Sequence, residues 1–194
     1  MARLEVLTPS RLSPGQRELY DEIAGGPRAA GPQLFSLTDG AGGLNGPFNA
    51  MLYAPGVGHA LQALGAAVRY RTELSDRVRE IAVLAVAAAW QCDFEMRAHE
   101  AIARAAGVTE AEINALRMCG ELLLSDDLER ASLAVVRALL LRADLDEAEY
   151  SAARDRVGEP ALVELSTLVG YYSMLALQLR IFRVATPERL PGCS

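Results

Sequence analysis

Residues 74–116, LSDRVREIAVLAVAAAWQCDFEMRAHEAIARAAGVTEAEINAL, contain the pattern that decides the fold. The run 81–90 is apolar at every position, which is typical of a helix buried on all sides. Polar residues interrupt this run at 91–93. We predict a break there, with Asp93 as the N-cap of a second helix that folds back on the first.

A polar stripe begins at this break. Cys92, Glu95 and His99 have the i, i+3, i+7 spacing that places side chains on one face of a helix. His99 is one of only two histidines in the chain, and imidazole suits acid–base chemistry near neutral pH. Glu80 lies twelve residues before Cys92. An unbroken helix would keep Glu80 and His99 roughly 28 Å apart, so only a break lets them cooperate.

Start and stop signals elsewhere also predict helices, and strand-like alternation is absent. Ser13 and Gln16 form a capping-box pattern. Gly107, Thr109 and Glu112 mark the end of one helix and the start of the next. The sequence therefore predicts an all-α bundle, a single domain over residues 1–194. Beyond the two helices of the opening segment, the expected helices cover about 14–24, 57–71, 110–124, 127–142, 146–157 and 160–182.

One stretch cannot be a continuous helix. Residues 25–58 contain nine of the sixteen glycines and four of the nine prolines. We predict a long ordered loop there, with a single helical turn at 48–53. Loops of this length in compact domains are often functional, so Phe48 and Asn49 are candidates to close a pocket.

Composition narrows the function classes. The chain has 194 residues, 51% of them hydrophobic, and a net charge of -6. A negative charge without a basic run disfavours a nucleic-acid partner. The first ten residues lack the apolar region of a secretory signal, which favours a cytoplasmic protein. The uncharged run 165–179 is shorter than the roughly 20 residues that span a bilayer, so we expect no membrane segment.

The three cysteines, Cys92, Cys119 and Cys193, show no metal-ligand spacing. An odd number leaves one thiol over if any two pair. We therefore expect reduced thiols and no metal site.

The run 74–116 resembles the carboxymuconolactone decarboxylase family, which includes the alkylhydroperoxidase D-like proteins. GPFNAML at 46–52 and LVGYY at 168–172 extend the resemblance over most of the chain. The resemblance implies a small all-α subunit that assembles into homotrimers or homohexamers. It also implies that neither a metal nor an organic cofactor is used.

The peroxidase branch of this family carries a Cys-x-x-Cys-x-x-x-His motif with a glutamate twelve residues before its first cysteine. Glu80, Cys92 and His99 match that glutamate, the first cysteine and the histidine, but Glu95 replaces the second cysteine. Because that second thiol attacks peroxide, the chain looks closer to the decarboxylase branch. In that branch a glutamate, an aromatic residue and a histidine are usual, and Met96 takes the place of the aromatic residue.

The decarboxylase branch implies a cofactor-free lyase or isomerase acting on a small carboxylated lactone or a related enolisable ring. We expect His99 to be the general acid–base, Glu95 to orient it or share its proton, and Glu80 to support the pair.

A carboxylated substrate also needs a cation. Arg69, Arg71 and Arg97 are the nearest arginines in sequence, and Arg97 adjoins the polar stripe. The substrate-binding residues expected around the catalytic set are Cys92, Arg97, Phe48, Asn49 and Met96.

Structural alternatives stay open for these residues. Glu95 and His99 could form an exposed i, i+4 pair that contributes only a few tenths of a kcal/mol to stability. Glu80 could be the buried partner of Arg77 or Arg79.

Two other functions also fit the pattern. A thiol-dependent peroxidase would rely on Cys92 and tolerate Glu95→Gln. A catalytically silent oligomeric binding protein would keep the fold and tolerate changes at both His99 and Glu95.

Overall fold

The computed structural model describes residues 2–29 and 36–184. Within these ranges the chain forms nine α-helices and two 3₁₀ turns, and its one β-type pairing is an isolated bridge between Thr38 and Leu44. The all-α prediction is confirmed. The helices are α1 (Pro14–Gly25), α2 (Pro47–Leu52), α3 (Pro55–Tyr70), α4 (Asp76–Ala89), α5 (Asp93–Ala105), α6 (Glu110–Arg117), α7 (Asp127–Arg142), α8 (Glu147–Arg156) and α9 (Glu159–Ile181).

Helix α4 is the centre of the bundle. It packs against α5, α6, α7 and α9, and every residue from Glu80 to Ala88 is buried. An apolar surface on all sides of a helix requires neighbours on all sides, which explains this position. The side chains from Glu80 to Ala88 are therefore held by packing from several directions.

The break between α4 and α5 occurs where the sequence predicts it. Gln91 adopts a left-handed backbone conformation with φ of 50°, and the Cys92 N–H donates to the carbonyl of Ala87 at 2.8 Å. The N-cap is Cys92, and Asp93 is the first residue of α5. The prediction of Asp93 as the cap is thus wrong by one residue, because the Met96 N–H already bonds the Cys92 carbonyl at 3.0 Å.

Capping signals locate the helix starts well. The Ser13 N–H donates to Gln16 Oε1 at 2.9 Å, and the Thr109 N–H donates to Glu112 Oε2 at 2.7 Å. Helix α6, however, ends at Arg117 and does not reach residue 124. Cys119 takes a left-handed conformation there, which stops the helix.

The glycine-rich stretch is more helical than the sequence suggests. Helix α2 matches the predicted turn, but α3 already begins at Pro55, and residues 30–35 lie outside the described ranges. Gly58 lies inside α3 at a position where a Cβ would collide with Leu19 of α1 and Met51 of α2. The glycine here serves the close approach of three helices.

Helix α9 runs for 23 residues, which exceeds the uncharged run seen in the sequence. By length and composition alone it is the one described helix that could cross a membrane. Half of its most apolar window is buried, and it packs against α3, α4 and α7. Its contacts are those of a core helix.

Candidate active site

The turn between α4 and α5 brings Glu80 and His99 into contact. His99 Nδ1 lies 2.7 Å from Glu80 Oε2, and the side chains are 7% and 1% exposed. A carboxylate can only accept a hydrogen bond, so His99 Nδ1–H donates to ionised Glu80. This arrangement leaves Nε2 as the ring nitrogen that can exchange a proton.

Glu95 lies on the other side of the same imidazole. Its Oε2 is 3.5 Å from His99 Nε2, and the residue is only 4% exposed. The alternative of a solvated i, i+4 pair is therefore wrong. Instead, two buried carboxyl groups flank one histidine.

The two carboxyl groups titrate in opposite directions. Burial by itself would raise the pKa of Glu80, but the charge and hydrogen bond of His99, together with Arg69 and Arg79, lower that pKa overall. At Glu95 burial dominates and raises the pKa, despite the opposing charge of His99. Glu80 is thus a carboxylate at neutral pH, whereas Glu95 keeps its proton to a higher pH.

Glu80 also has an arginine neighbour. Arg79 Nε lies 3.5 Å from Glu80 Oε1. Glu80 is therefore a buried partner of an arginine, as one interpretation of the sequence had it, and it also contacts His99. Arg77 instead pairs with a glutamate on α6 and another on α7. With a cation on one side and imidazole on the other, the Glu80 carboxylate is stabilised in its charged form.

A cavity of about 100 Å³ opens beside this cluster. One water needs roughly 10–15 Å³ on the same measure, so the space admits a small organic molecule. Glu95 and His99 line it, and Glu80 lies behind His99. The full lining is Arg28, Leu37, Pro47, Phe48, Arg69, Tyr70, Phe94, Glu95, Ala98, His99, Ile102, Tyr171, Tyr172 and Leu175.

Two tyrosines of α9 form the aromatic side of the cavity. Tyr172 packs edge to face on His99, with ring centroids 5.2 Å apart, and on Tyr171 at 5.3 Å. Burial raises the pKa of Tyr171 to about 12 and that of Tyr172 well above its ordinary value. Both hydroxyls therefore stay protonated and can donate hydrogen bonds.

Two arginines line the cavity. Arg69 was among the candidates from sequence, whereas Arg28 was not. Arg28 lies in the 3₁₀ turn Pro27–Ala29, its Nε donates to Gln62 Oε1 at 2.9 Å, and its guanidinium stacks 5.0 Å above the Phe48 ring. No local pattern marks an arginine in a glycine- and proline-rich stretch as a site residue, so the sequence offered no signal for it.

Of the five residues predicted to bind substrate, Phe48 lines the cavity and Asn49 does not. Asn49 Oδ1 accepts from the Leu7 N–H at 3.0 Å, and its Nδ2 donates to the Glu5 carbonyl at 3.0 Å. Its side chain thus holds the N-terminal segment on α2. The structure thus gives Asn49 a structural contact and does not place it in the cavity lining.

Cys92, Met96 and Arg97 are also not among the residues that line the cavity. Met96 belongs to the main hydrophobic core, Cys92 packs in a small cluster with Phe94 and Leu179, and Arg97 is exposed. Helical spacing places residues on a face, but the neighbouring helices decide which part of that face meets a cavity. The roles predicted for these three residues in substrate binding therefore find no support in the lining of this cavity.

The thiols show no sign of activation in the described part of the chain. Burial raises the pKa of Cys92 to about 11, and Cys119 is exposed and free. Cys193 lies outside the described ranges. Within those ranges no group of three His, Cys, Asp or Glu residues could hold a metal ion.

Comparison with known proteins agrees with this architecture. Residues 55–138 match the model of the carboxymuconolactone decarboxylase family, whereas no curated protein sequence matches the chain significantly.

Several solved structures share the fold. An uncharacterized peroxidase-related protein from Ralstonia eutropha JMP134, described as an alkylhydroperoxidase AhpD core, superposes with a TM-score of 0.73 at 18% identity, over 96% of this chain and 93% of that one. A peroxidase-related protein from Silicibacter sp. TM1040 gives 0.74 at 14% identity, over 98% and 94%. A protein of unknown function from Agrobacterium tumefaciens gives 0.63 at 21% identity, over 72% and 97%.

The family match covers α3 to most of α7, including the turn that joins Glu80 to His99. The structural likeness extends this agreement to nearly the whole chain. Residues 55–138 are therefore similar to the carboxymuconolactone decarboxylase family, and the chain shares its fold with structures described as AhpD-like.

Proposed function

We propose that this protein is a cofactor-free acid–base enzyme, a decarboxylase or isomerase of a small carboxylated lactone or a related enolisable ring. One observation carries the proposal. His99 stands at the wall of a cavity between two buried carboxyl groups whose pKa values are shifted in opposite directions. Such separation of two titratable groups is a hallmark of acid–base sites.

The proposed reaction needs one acid and charge stabilisation. When the C–C bond to the carboxylate breaks, carbon dioxide leaves and the electron pair moves into the ring and its carbonyl as a dienolate. A proton delivered to carbon then completes the product. An isomerase forms a dienolate by a different bond cleavage: a base removes a proton from carbon, no carbon dioxide is lost, and a proton is then returned to another carbon.

The geometry supports distinct roles for the three residues. Glu80 accepts the Nδ1–H of His99 and fixes the ring orientation. Nε2 then takes or gives the proton at the substrate. Glu95, which keeps its proton to a higher pH than an ordinary glutamate and lies 3.5 Å from Nε2, is the proton reserve of the pair.

The loss of stability caused by burying Glu95 also favours a catalytic role over a silent binding role. A buried carboxyl group with a raised pKa destabilises the fold at neutral pH, and an apolar side chain would avoid that cost. Retention of such a group at a cavity wall favours a chemical function.

The peroxidase alternative has weaker support, although two of the similar structures are named peroxidase-related. Cys92 is buried and does not line the cavity, and its pKa of about 11 keeps the thiol protonated at neutral pH. Peroxide is attacked by a thiolate. Glu95 stands where the second thiol of the peroxidase motif would be, so no disulfide cycle is available there.

We further propose that the protein acts in the cytoplasm as a homotrimer or homohexamer, without nucleic-acid or membrane partners. Helix α9 exposes Val163, Leu177 and Ile181, and exposed apolar groups on one helix suit a subunit contact. Light scattering coupled to gel filtration gives the mass directly. A monomer across the micromolar range contradicts the proposed assembly.

The activity is tested by proton NMR in deuterated water. Carboxymuconolactone and a panel of enolisable cyclic acids are offered to the wild-type protein and to His99→Ala. We expect loss of carbon dioxide or deuterium incorporation with at least one compound, dependent on His99. Equal activity of a folded His99→Ala protein contradicts the proposal, and complete silence of the wild type across the panel removes its support.

A further inference from the structure

The charge of the cavity wall points to an anionic ligand. Among the described residues, Arg28 and Arg69 line the cavity, and Glu95 is the one acidic side chain beside them. Two arginines outnumber one carboxyl group, so the lining carries a net positive charge whether or not Glu95 is ionised. A small carboxylate is the natural complement of such a surface.

The two arginines occupy different parts of this wall. The Arg69 guanidinium lies 5.6 Å from the Tyr70 ring, and its charge acts on Glu80. The charge of Arg28 acts on Glu95 and Tyr171. Arg69 is thus electrostatically coupled to the carboxylate behind His99, whereas Arg28 acts on the groups that face the cavity.

The Arg28 side chain is held in place before any ligand binds. Gln62, which is only 2% exposed, accepts the Nε–H of Arg28 at 2.9 Å. Phe48 supports the flat face of the guanidinium. A buried amide and an aromatic face thus fix a cation at a cavity wall, and this preorganisation lowers the entropy cost of binding.

Gly65 of α3 makes room for this arrangement. A Cβ at this position would collide with Tyr171 Oη and with Arg28 Nη2. The helix surface is therefore bare where the guanidinium and the tyrosine hydroxyl meet it. Contacts from α2, α3 and α9 all converge on this one arginine.

We infer that Arg28 is the specificity-determining anchor of the site and that its guanidinium binds the carboxylate of a small cyclic acid while the ring faces His99 and Glu95. Gln62 acts as a positioning residue through Arg28. The inference deepens the proposed function, on which it rests for the identity of the reacting end. Binding itself needs no turnover and is tested separately.

The test is an NMR titration of the full-length protein with furan-2-carboxylate and with the uncharged furan-2-carboxamide. The variants are Arg28→Gln, Arg28→Lys and Gln62→Leu. Arg11→Gln is the matched control, since Arg11 belongs to the other 3₁₀ turn and its side chain is 63% exposed. Circular dichroism and thermal melting establish that each variant is folded.

We expect the wild type and Arg11→Gln to bind the carboxylate better than the amide. Arg28→Gln should weaken carboxylate binding by about tenfold or more and leave amide binding unchanged, since one charged hydrogen-bonding group is lost. Arg28→Lys keeps the charge without the planar fork, so its affinity should be intermediate. Gln62→Leu should also weaken carboxylate binding and leave amide binding unchanged, and its effect should be smaller than that of Arg28→Gln.

Equal affinity of Arg28→Gln and wild type for the carboxylate overturns the inference, as does a wild type that binds neither probe or does not discriminate between them. If Arg28→Gln is poorly folded, Arg28→Lys and Gln62→Leu decide the question by the same criterion. Arg28-dependent binding with no turnover of any cyclic acid would uphold this inference while contradicting the proposed function.

Discussion

Both histidines of this chain lie 2.7 Å from a glutamate, yet the two pairs differ in how far they are buried. His59 meets Glu22 at the surface, with side chains 39% and 43% exposed. His99 meets Glu80 in the interior, at 7% and 1%. The contact distance is the same, so it cannot be what makes a site.

The environment separates the two pairs. Water screens the His59–Glu22 contact, and such surface pairs contribute little to stability. The His99–Glu80 pair has a second carboxyl group, that of Glu95, 3.5 Å from His99 Nε2, an arginine beside Glu80 and a cavity next to His99. Burial makes each of these charges matter more, because the effective dielectric constant is lower there.

The largest expected difference concerns turnover. His99→Ala removes the group that exchanges protons at the cavity, so the rate should fall on the order of 10²- to 10⁴-fold. His59→Ala should leave the rate unchanged. Steady-state kinetics on any substrate identified by NMR measures both. A similar loss of turnover in His99→Ala and His59→Ala would contradict the proposed difference between the two histidines.

Stability gives the next contrast. Glu80→Gln leaves His99 and Arg79 without their buried carboxylate, which should lower the free energy of unfolding by roughly 3–5 kcal/mol. Glu22→Gln should cost about 0–1 kcal/mol. The pKa of Glu80 is lowered, so its contribution is present above its unfolded pKa near 4.5 and is lost as the pH falls. Urea unfolding at pH 7 measures the free energy of unfolding of both variants. An equal loss in Glu80→Gln and Glu22→Gln would contradict a stabilising role for the buried Glu80 carboxylate.

Glu95→Gln should have the opposite effect on stability. The unfolded chain ionises Glu95 near pH 4.5, whereas the folded protein holds that proton to a higher pH. Between the two pKa values the wild type loses stability as the pH rises, and the glutamine variant does not. The stability advantage of the variant should grow by about 1.4 kcal/mol per pH unit in that window.

Urea unfolding between pH 4 and pH 8 measures this trend, with Glu22→Gln as the exposed control. Parallel stability curves for the wild type and Glu95→Gln are the result that excludes a raised pKa at Glu95. The same variant should nevertheless lose activity, which separates the catalytic from the stabilising role.

The smallest effect is expected at Cys92. With a pKa of about 11, only about one thiol in 10⁴ is ionised at pH 7. Cys92→Ser should therefore keep its turnover. In a Cys119→Ser, Cys193→Ser background the single remaining thiol should react slowly with a disulfide reagent, and fast reaction there would revive the peroxidase alternative.

Much of the fold could be read from the sequence, because helix starts depend on local chemistry. The Ser13–Gln16 and Thr109–Glu112 pairs form their capping hydrogen bonds as expected. The early end of α6 could not be read in this way. It depends on Cys119 adopting a left-handed conformation, which its residue type does not favour.

The candidate site, like the fold, has one part that the sequence predicts and one part that it does not. The i, i+4 spacing predicted that Glu95 and His99 share a helix face, and the break near Gln91 allowed Glu80 to approach them; that Glu80 does contact His99 is seen only in the structure. The cavity around them is built by α2, α3, α5 and α9 together with the turn that carries Arg28. Spacing along one helix holds no information about those contacts, so Arg28 was missed.

The central claim is that the two buried carboxyl groups on either side of His99 have pKa values shifted in opposite directions from that of an ordinary glutamate. The direct measurement is a ¹³C NMR titration of the protein with carboxyl-labelled glutamate, with Glu80→Gln and Glu95→Gln to assign the two signals. We predict one resonance, Glu95, that titrates above the ordinary glutamate pKa, and another, Glu80, that titrates below it. Two resonances that titrate together at the ordinary value would contradict the account.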